Sequence, residues 1–285
     1  MTLLEKRMRG LTEDLSSTIC KVADEKAAPK SVHRLRTTVR RIESLISYAN
    51  PDLDKKLEKT LEKLADLRKR AGKVRDMDVQ VDLLKTLGNG SIARDRKTLN
   101  DLLEKKRDRQ ARRLESAVNK NHGSKFFCRM EQIAEQTGAV PNGKNRPLAP
   151  LEEARAQLEK AASDFAGQNN LKGSRLHEAR VTLKRIRYLA ELADETPEQK
   201  TFIEELKVVQ DAIGDWHDWQ ELTNVAEKRF ADRANSALLR EVRAVLGARQ
   251  SAAISAINKL FAQSSAATRK PPRSAESPRT STRYA

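Results

Sequence analysis

The chain has 285 residues, with 56 Lys and Arg against 40 Asp and Glu, a formal net charge of +16. That excess repels itself in any compact state and attracts polyanions, which leaves nucleic acid, anionic lipid and chains of phosphate as partner classes. Aromatic residues are only 4%, which argues against base stacking, and Cys20 and Cys128 are too few for a disulfide framework. No apolar run resembles a signal peptide, and none approaches the roughly 20 residues that span a bilayer, so a soluble protein of the reducing cytoplasm with no membrane partner is expected.

Apolar residues recur every three to four positions almost throughout, the period of amphipathic helices. Leu3, Leu4, Met8, Leu11, Leu15, Ile19 and Val22 mark a first helix. Pro29 opens a second, with Val32, Leu35, Val39, Ile42 and Ile46 on its apolar face. Asn50-Pro51 reads as a cap followed by proline at the first helical position, starting a leucine-rich helix that Gly72 ends. Further helices are expected over about 74–87, 92–118 and 125–136, the middle one highly charged and laced with i,i+4 pairs. Residues 138–150 carry three prolines and two glycines with almost no periodicity, and read as a linker.

After the linker the pattern restarts. Helices are expected over about 151–165 and 176–189. Thr196-Pro197 then starts a helix that stops at Gly214, and two more follow over about 216–232 and 235–261. Residues 264–285, rich in Ser, Pro, Arg and Thr, read as a disordered basic tail.

One spelling occurs twice. His33, Arg36, Arg40, Arg41 and Ile42 have counterparts in His177, Arg180, Lys184, Arg185 and Ile186, an offset of 144 positions. Residues i, i+3 and i+7 share a helix face, so each copy makes a cationic stripe. Downstream, Leu64, Leu67, Gly72, Arg75 and Asp76 match Leu206, Val209, Gly214, His217 and Asp218 at an offset of 142. Two collinear pairs at nearly equal offsets predict an all-α protein built by internal duplication of a helical bundle.

A single basic stripe is ordinarily a solvated face; a repeated one with few interleaved acids points to an anion site. Arginine offers bidentate donors to phosphate and stays charged, and a bound polyanion would keep a histidine protonated. Asp76 and Asp218 read as N-caps after a helix break, with Glu221 completing a capping box, or as carboxylates orienting an arginine. As a pair they could alternatively hold a divalent metal for hydrolysis, though that chemistry usually needs more carboxylates. Trp216 and Trp219 read as core packing. No Ser/His/Asp or Cys/His set suggests nucleophilic catalysis.

With these paired His-x-x-Arg stretches, each followed by a leucine-rich helix and a Gly-x-x-Arg-Asp-like turn, the chain resembles the CHAD domain, the conserved-histidine α-helical domain, over residues 5 to 262. The resemblance implies two four-helix bundles related by a pseudo-two-fold axis. It also implies non-catalytic binding of inorganic polyphosphate in a basic central groove or pore, and association with polyphosphate granules. The halves are then residues 1–137 and 151–263. Carried over by motif position, with flanking basic residues included, the candidate binding residues are His33, Arg36, Arg40, Arg41, Lys73, Arg75, His177, Arg180, Lys184, Arg185, Arg187 and His217. His217 departs from the Arg of the motif. No cofactor is implied; other polyanions, nucleic acid among them, are the alternative ligands, and a metal-dependent polyphosphate hydrolase is a further alternative.

Overall fold

The computed structural model describes residues 2–24, 26–49, 55–88, 90–121, 124–138, 149–165, 171, 173–233 and 236–268. Among these there are nine α-helices, one 3-10 turn over Ala231–Arg233, and no strand. The helices are α1 (Leu3–Asp24), α2 (Pro29–Ala49), α3 (Lys55–Thr86), α4 (Ala93–Asn121), α5 (Ser124–Gly138), α6 (Pro150–Phe165), α7 (Ser174–Ala190), α8 (Pro197–Arg229) and α9 (Ala237–Thr268).

Contacts run in a ring from α6 to α7 to α8 to α9 and back to α6, which makes a four-helix bundle. In the other half α1, α2 and α3 form three sides, and α4 with α5 together fill the fourth position, touching both α3 and α1. The two rings meet through α2 against α7 and α3 against α8.

The apolar period explains the packing. Val32, Leu35, Val39, Ile42, Leu45 and Ile46 on α2 are all fully buried, as are Leu176, Ala179, Leu183 and Ile186 on α7. These join residues of both halves in one core, and each large aliphatic side chain so buried contributes roughly 1.5–3 kcal/mol. A second core lies where the hairpin α3–α4 meets the hairpin α8–α9. There Leu84, Leu87, Leu99 and Leu103 pack with Leu222, Phe230, Leu239 and Val242. Trp219 belongs to this core and Trp216 to the larger one, and both are buried. Thr196 caps α8, its hydroxyl accepting from the Gln199 N–H at 3.2 Å, with Pro197 as the first helical residue.

The structure corrects three expectations. Gly72 and Gly214 do not end helices: α3 and α8 run unbroken for 32 and 33 residues. A helical glycine costs only about 1 kcal/mol relative to alanine, which the burial of the flanking apolar residues outweighs. Asp76 and Asp218 therefore stand inside helices and cannot be N-caps. Finally, α9 continues past Phe261 to Thr268, into the segment read as tail, through an Ala- and Ser-containing stretch with no proline. Asn50-Pro51, residues 139–148 of the linker and residues 269–285 of the tail lie outside the described residues.

Candidate functional site

Burial of the aliphatic stripes sets the roll of α2 and α7, and so decides where their cationic faces point. Because the two helices pack against each other, Arg36 and Arg40 of α2 come close enough to Arg180 and Lys184 of α7 to act on them electrostatically. Four basic side chains from two helices thus converge on one seam.

Among the described residues, carboxylates temper them unevenly: Glu43 acts on Arg40, though it is held by Arg68. Arg36 Nη1 donates to Asp76 Oδ1 on α3 at 3.3 Å. Asp218 on α8 is the carboxylate that acts most strongly on Arg180. Arg180 is 8% exposed, and its Nε finds no acceptor. A guanidinium this buried ordinarily has its N–H groups satisfied, because leaving a charged donor unpaired costs more than burial of its stem returns.

The crowding shows in protonation. Burial pushes the Arg180 guanidinium down to about 10, with Arg36 and Arg40 adding to the shift and Asp218 opposing it. Lys184 is driven further, to about 6, by burial first and then by Arg180, Arg40 and Arg36. Burial and Arg40 also lower Arg36, against Asp76. His33 is lowered by burial and then by Arg75, Arg36 and Arg40, and His177 by burial and then by Arg180 and His217. Burial first, and then mutual repulsion, holds these basic groups below their ordinary values, and of Arg36, Arg180 and Lys184 only the lysine falls below neutral pH. An incoming anion would reverse each of these shifts.

Around this centre, the His177 and His217 rings lie 5.9 Å apart between centroids, and His217 Nδ1 is 3.3 Å from Asp218 Oδ1. Arg75 lies on α3 near His33. Arg185 lines a cleft of 630 Å³ together with Arg40, Arg180 and Lys184, and Tyr48 and Tyr188 form part of its wall. Lys73 lines a second cleft, of 360 Å³, that Arg36 also borders. Arg41 and Arg187 have a different partner. Both pair with Glu191, at 2.8 and 3.3 Å, so that carboxylate already offsets their charge.

Several charged residues about the seam were not picked out by the repeat. Arg68 borders both clefts and is held by Glu43 at 2.7 Å. Lys69, Arg70 and Arg113 line the smaller cleft. The signal for the α3 residues was present as the run Arg68-Lys69-Arg70, followed by Lys73 and Arg75, but none of Arg68, Lys69 and Arg70 has a basic counterpart in the second copy. Among the described residues, no group of three or more His, Cys, Asp or Glu is placed to hold a metal. None of the described helices is long and apolar enough to cross a membrane.

The sequence profile of the family described as "CHAD domain" matches residues 11–227. The structure is similar to that of the CHAD domain from the plant Ricinus communis, with a TM-score of 0.68 at 16% identity, covering 91% of this chain and 90% of that one. It is also similar to PptA from Streptomyces chartreusis, with a TM-score of 0.55 at 15% identity, covering 91% of this chain and 99% of that one. At these identities the likeness concerns the fold alone. No curated protein matches the chain by sequence.

Proposed function

The chain belongs to the CHAD domain family, and on that premise we propose that it binds inorganic polyphosphate without cleaving it, along the seam between α2 and α7. The observation that carries this reading is the buried Arg180, its Nε without an acceptor, beside Arg36, Arg40 and Lys184. Four converging basic side chains, opposed by Asp76, Asp218 and a Glu43 that Arg68 holds, suit a ligand of dense, repeated negative charge. A phosphate chain supplies one charge per unit and no base, which suits a seam built of guanidinium and ammonium groups. Arg36 and Arg180 contact the chain from opposite helices. Lys184 and the histidines take up protons as it binds.

In this reading residues 1–137 and 151–263 are the two duplicated halves, joined by the linker 138–150, and each supplies one wall. Binding of this kind would recruit the protein to polyphosphate granules in the cytoplasm.

The test is equilibrium binding of long-chain polyphosphate to the wild type and to the Arg36→Ala/Arg180→Ala double variant. Each charge-assisted hydrogen bond lost is worth about 1.5–3 kcal/mol, so the double variant should bind at least about a hundredfold more weakly. Equal affinity in the two proteins would remove the seam as the site.

A further inference from the structure

The two copies of the repeat match at the seam and differ beside it. In the first half the smaller cleft, between α2, α3 and α4, is lined by Arg36, Arg68, Lys69, Arg70, Lys73 and Arg113. Its carboxylates are already engaged: Asp66 pairs with Arg70 at 2.7 Å and Asp76 with Arg36 at 3.3 Å, while Arg68 takes Glu43. Lys69, Lys73 and Arg113 are exposed and form no ion pair with a described carboxylate. At the offset that aligns Gly72 with Gly214, the counterparts of Arg68, Lys69, Arg70 and Lys73 are Gln210, Asp211, Ala212 and Asp215. Asp211 and Asp215 are exposed, and Asp215 lies 3.5 Å from Arg249. Gln210 is buried and donates to the Leu183 carbonyl at 2.7 Å, so it faces the core. The same helical surface is thus basic on α3 and acidic on α8.

We propose that the phosphate chain leaves the seam in one direction only, past Arg36 and into the cleft between α3 and α4, where Lys69, Lys73 and Arg113 hold the units that overhang the seam. Arg36 borders both the seam and this cleft, which makes the cationic path continuous. On the other side Asp211 repels the chain, since like charge at close approach disfavours the wrong route, and Asp215 is paired with Arg249. The cleft therefore sets the length preference: a short oligophosphate fills the seam alone, and a long chain also fills the cleft. The proposal rests on polyphosphate as the ligand of the seam.

Titration calorimetry with tripolyphosphate and with long-chain polyphosphate tests it, on the wild type and on Lys69→Gln/Arg113→Gln. Both side chains are exposed, so the fold does not depend on them. The double variant should bind tripolyphosphate like the wild type and long chains about tenfold more weakly. Its slope of log affinity against log salt for long chains should be shallower by about 1.5, since each neutralised phosphate contributes roughly 0.7–0.9 in nucleic acids. Unchanged long-chain affinity and slope would overturn the one-sided path while leaving the seam in place, and so would an equal loss for both ligands. A wild type that binds neither ligand would instead overturn polyphosphate as the partner, and the path with it.

Discussion

Arg180 is held against its own chemistry, buried, unpartnered at Nε and close to three other cations. A buried charge without hydrogen-bond partners costs stability, and an apolar side chain of similar volume relieves that cost. Arg180→Met should therefore raise the stability of the free protein by about 1 kcal/mol in urea melts, while weakening polyphosphate binding more than about tenfold. A variant that loses stability and keeps affinity would mark Arg180 as structural. Lys184 adds a pH dependence. Its pKa is about 6 in the fold against 10.5 as the ordinary value, so between those limits the unfolded chain binds more protons and the free protein gains stability as pH rises. A bound polyanion raises the lysine back toward its ordinary value. Affinity should therefore fall as pH rises through 6 to 8, with proton uptake on binding. Calorimetry at pH 7.5 in buffers of different ionisation enthalpy reads that uptake, and Lys184→Met should remove most of it. His33 and His177, also lowered in the free protein, act in the same direction at lower pH.

At the scale of elements, the long helices α3 and α8 carry the surprises. Gly214 lies inside α8 with open space where a Cβ would stand, so Gly214→Ala should stabilise the protein by about 0.5–1 kcal/mol. A loss of stability would mean that α8 does not run straight through that point. Asp78 on α3 is buried and holds Arg107 of α4 at 3.0 Å, and Arg107 also donates to the Ala27 carbonyl at 2.6 Å. Arg107→Ala strands a buried carboxylate and should cost about 3 kcal/mol in the same melts. The charge on α4 thus reaches other elements, through Arg107 to Asp78 and Asp95 to Arg233, and is not all spent on i,i+4 pairs. Helix type and apolar face were legible throughout, because a 3.6-residue period survives in any helix that buries one side. The uninterrupted course of α3 and α8 was not. A glycine inside a helix and one just after its end have the same spelling, and burial of the flanking Leu67, Ala71 and Val74 or Val209 and Ile213 decides between them.

Over the whole molecule, the two rings of helices meet through the stripes that repeat in the sequence, and their cations converge where α2 packs on α7. The histidine and arginine positions of the site were legible because they recur. Arg68, Lys69 and Arg70 were not, because they break the repeat, and the pairing of Arg41 with Glu191 was not, because it joins residues 150 positions apart. What the net charge of +16 leaves open is which polyanion wins. Few aromatic residues are available to stack bases, so a ligand without bases has the advantage. The direct measurement is equilibrium competition between long-chain polyphosphate and RNA for the wild-type protein at physiological salt. Polyphosphate should displace RNA at a phosphate concentration at least about tenfold lower than RNA needs to displace polyphosphate, without release of orthophosphate. RNA holding its own at equal phosphate concentration would contradict polyphosphate as the ligand of the seam.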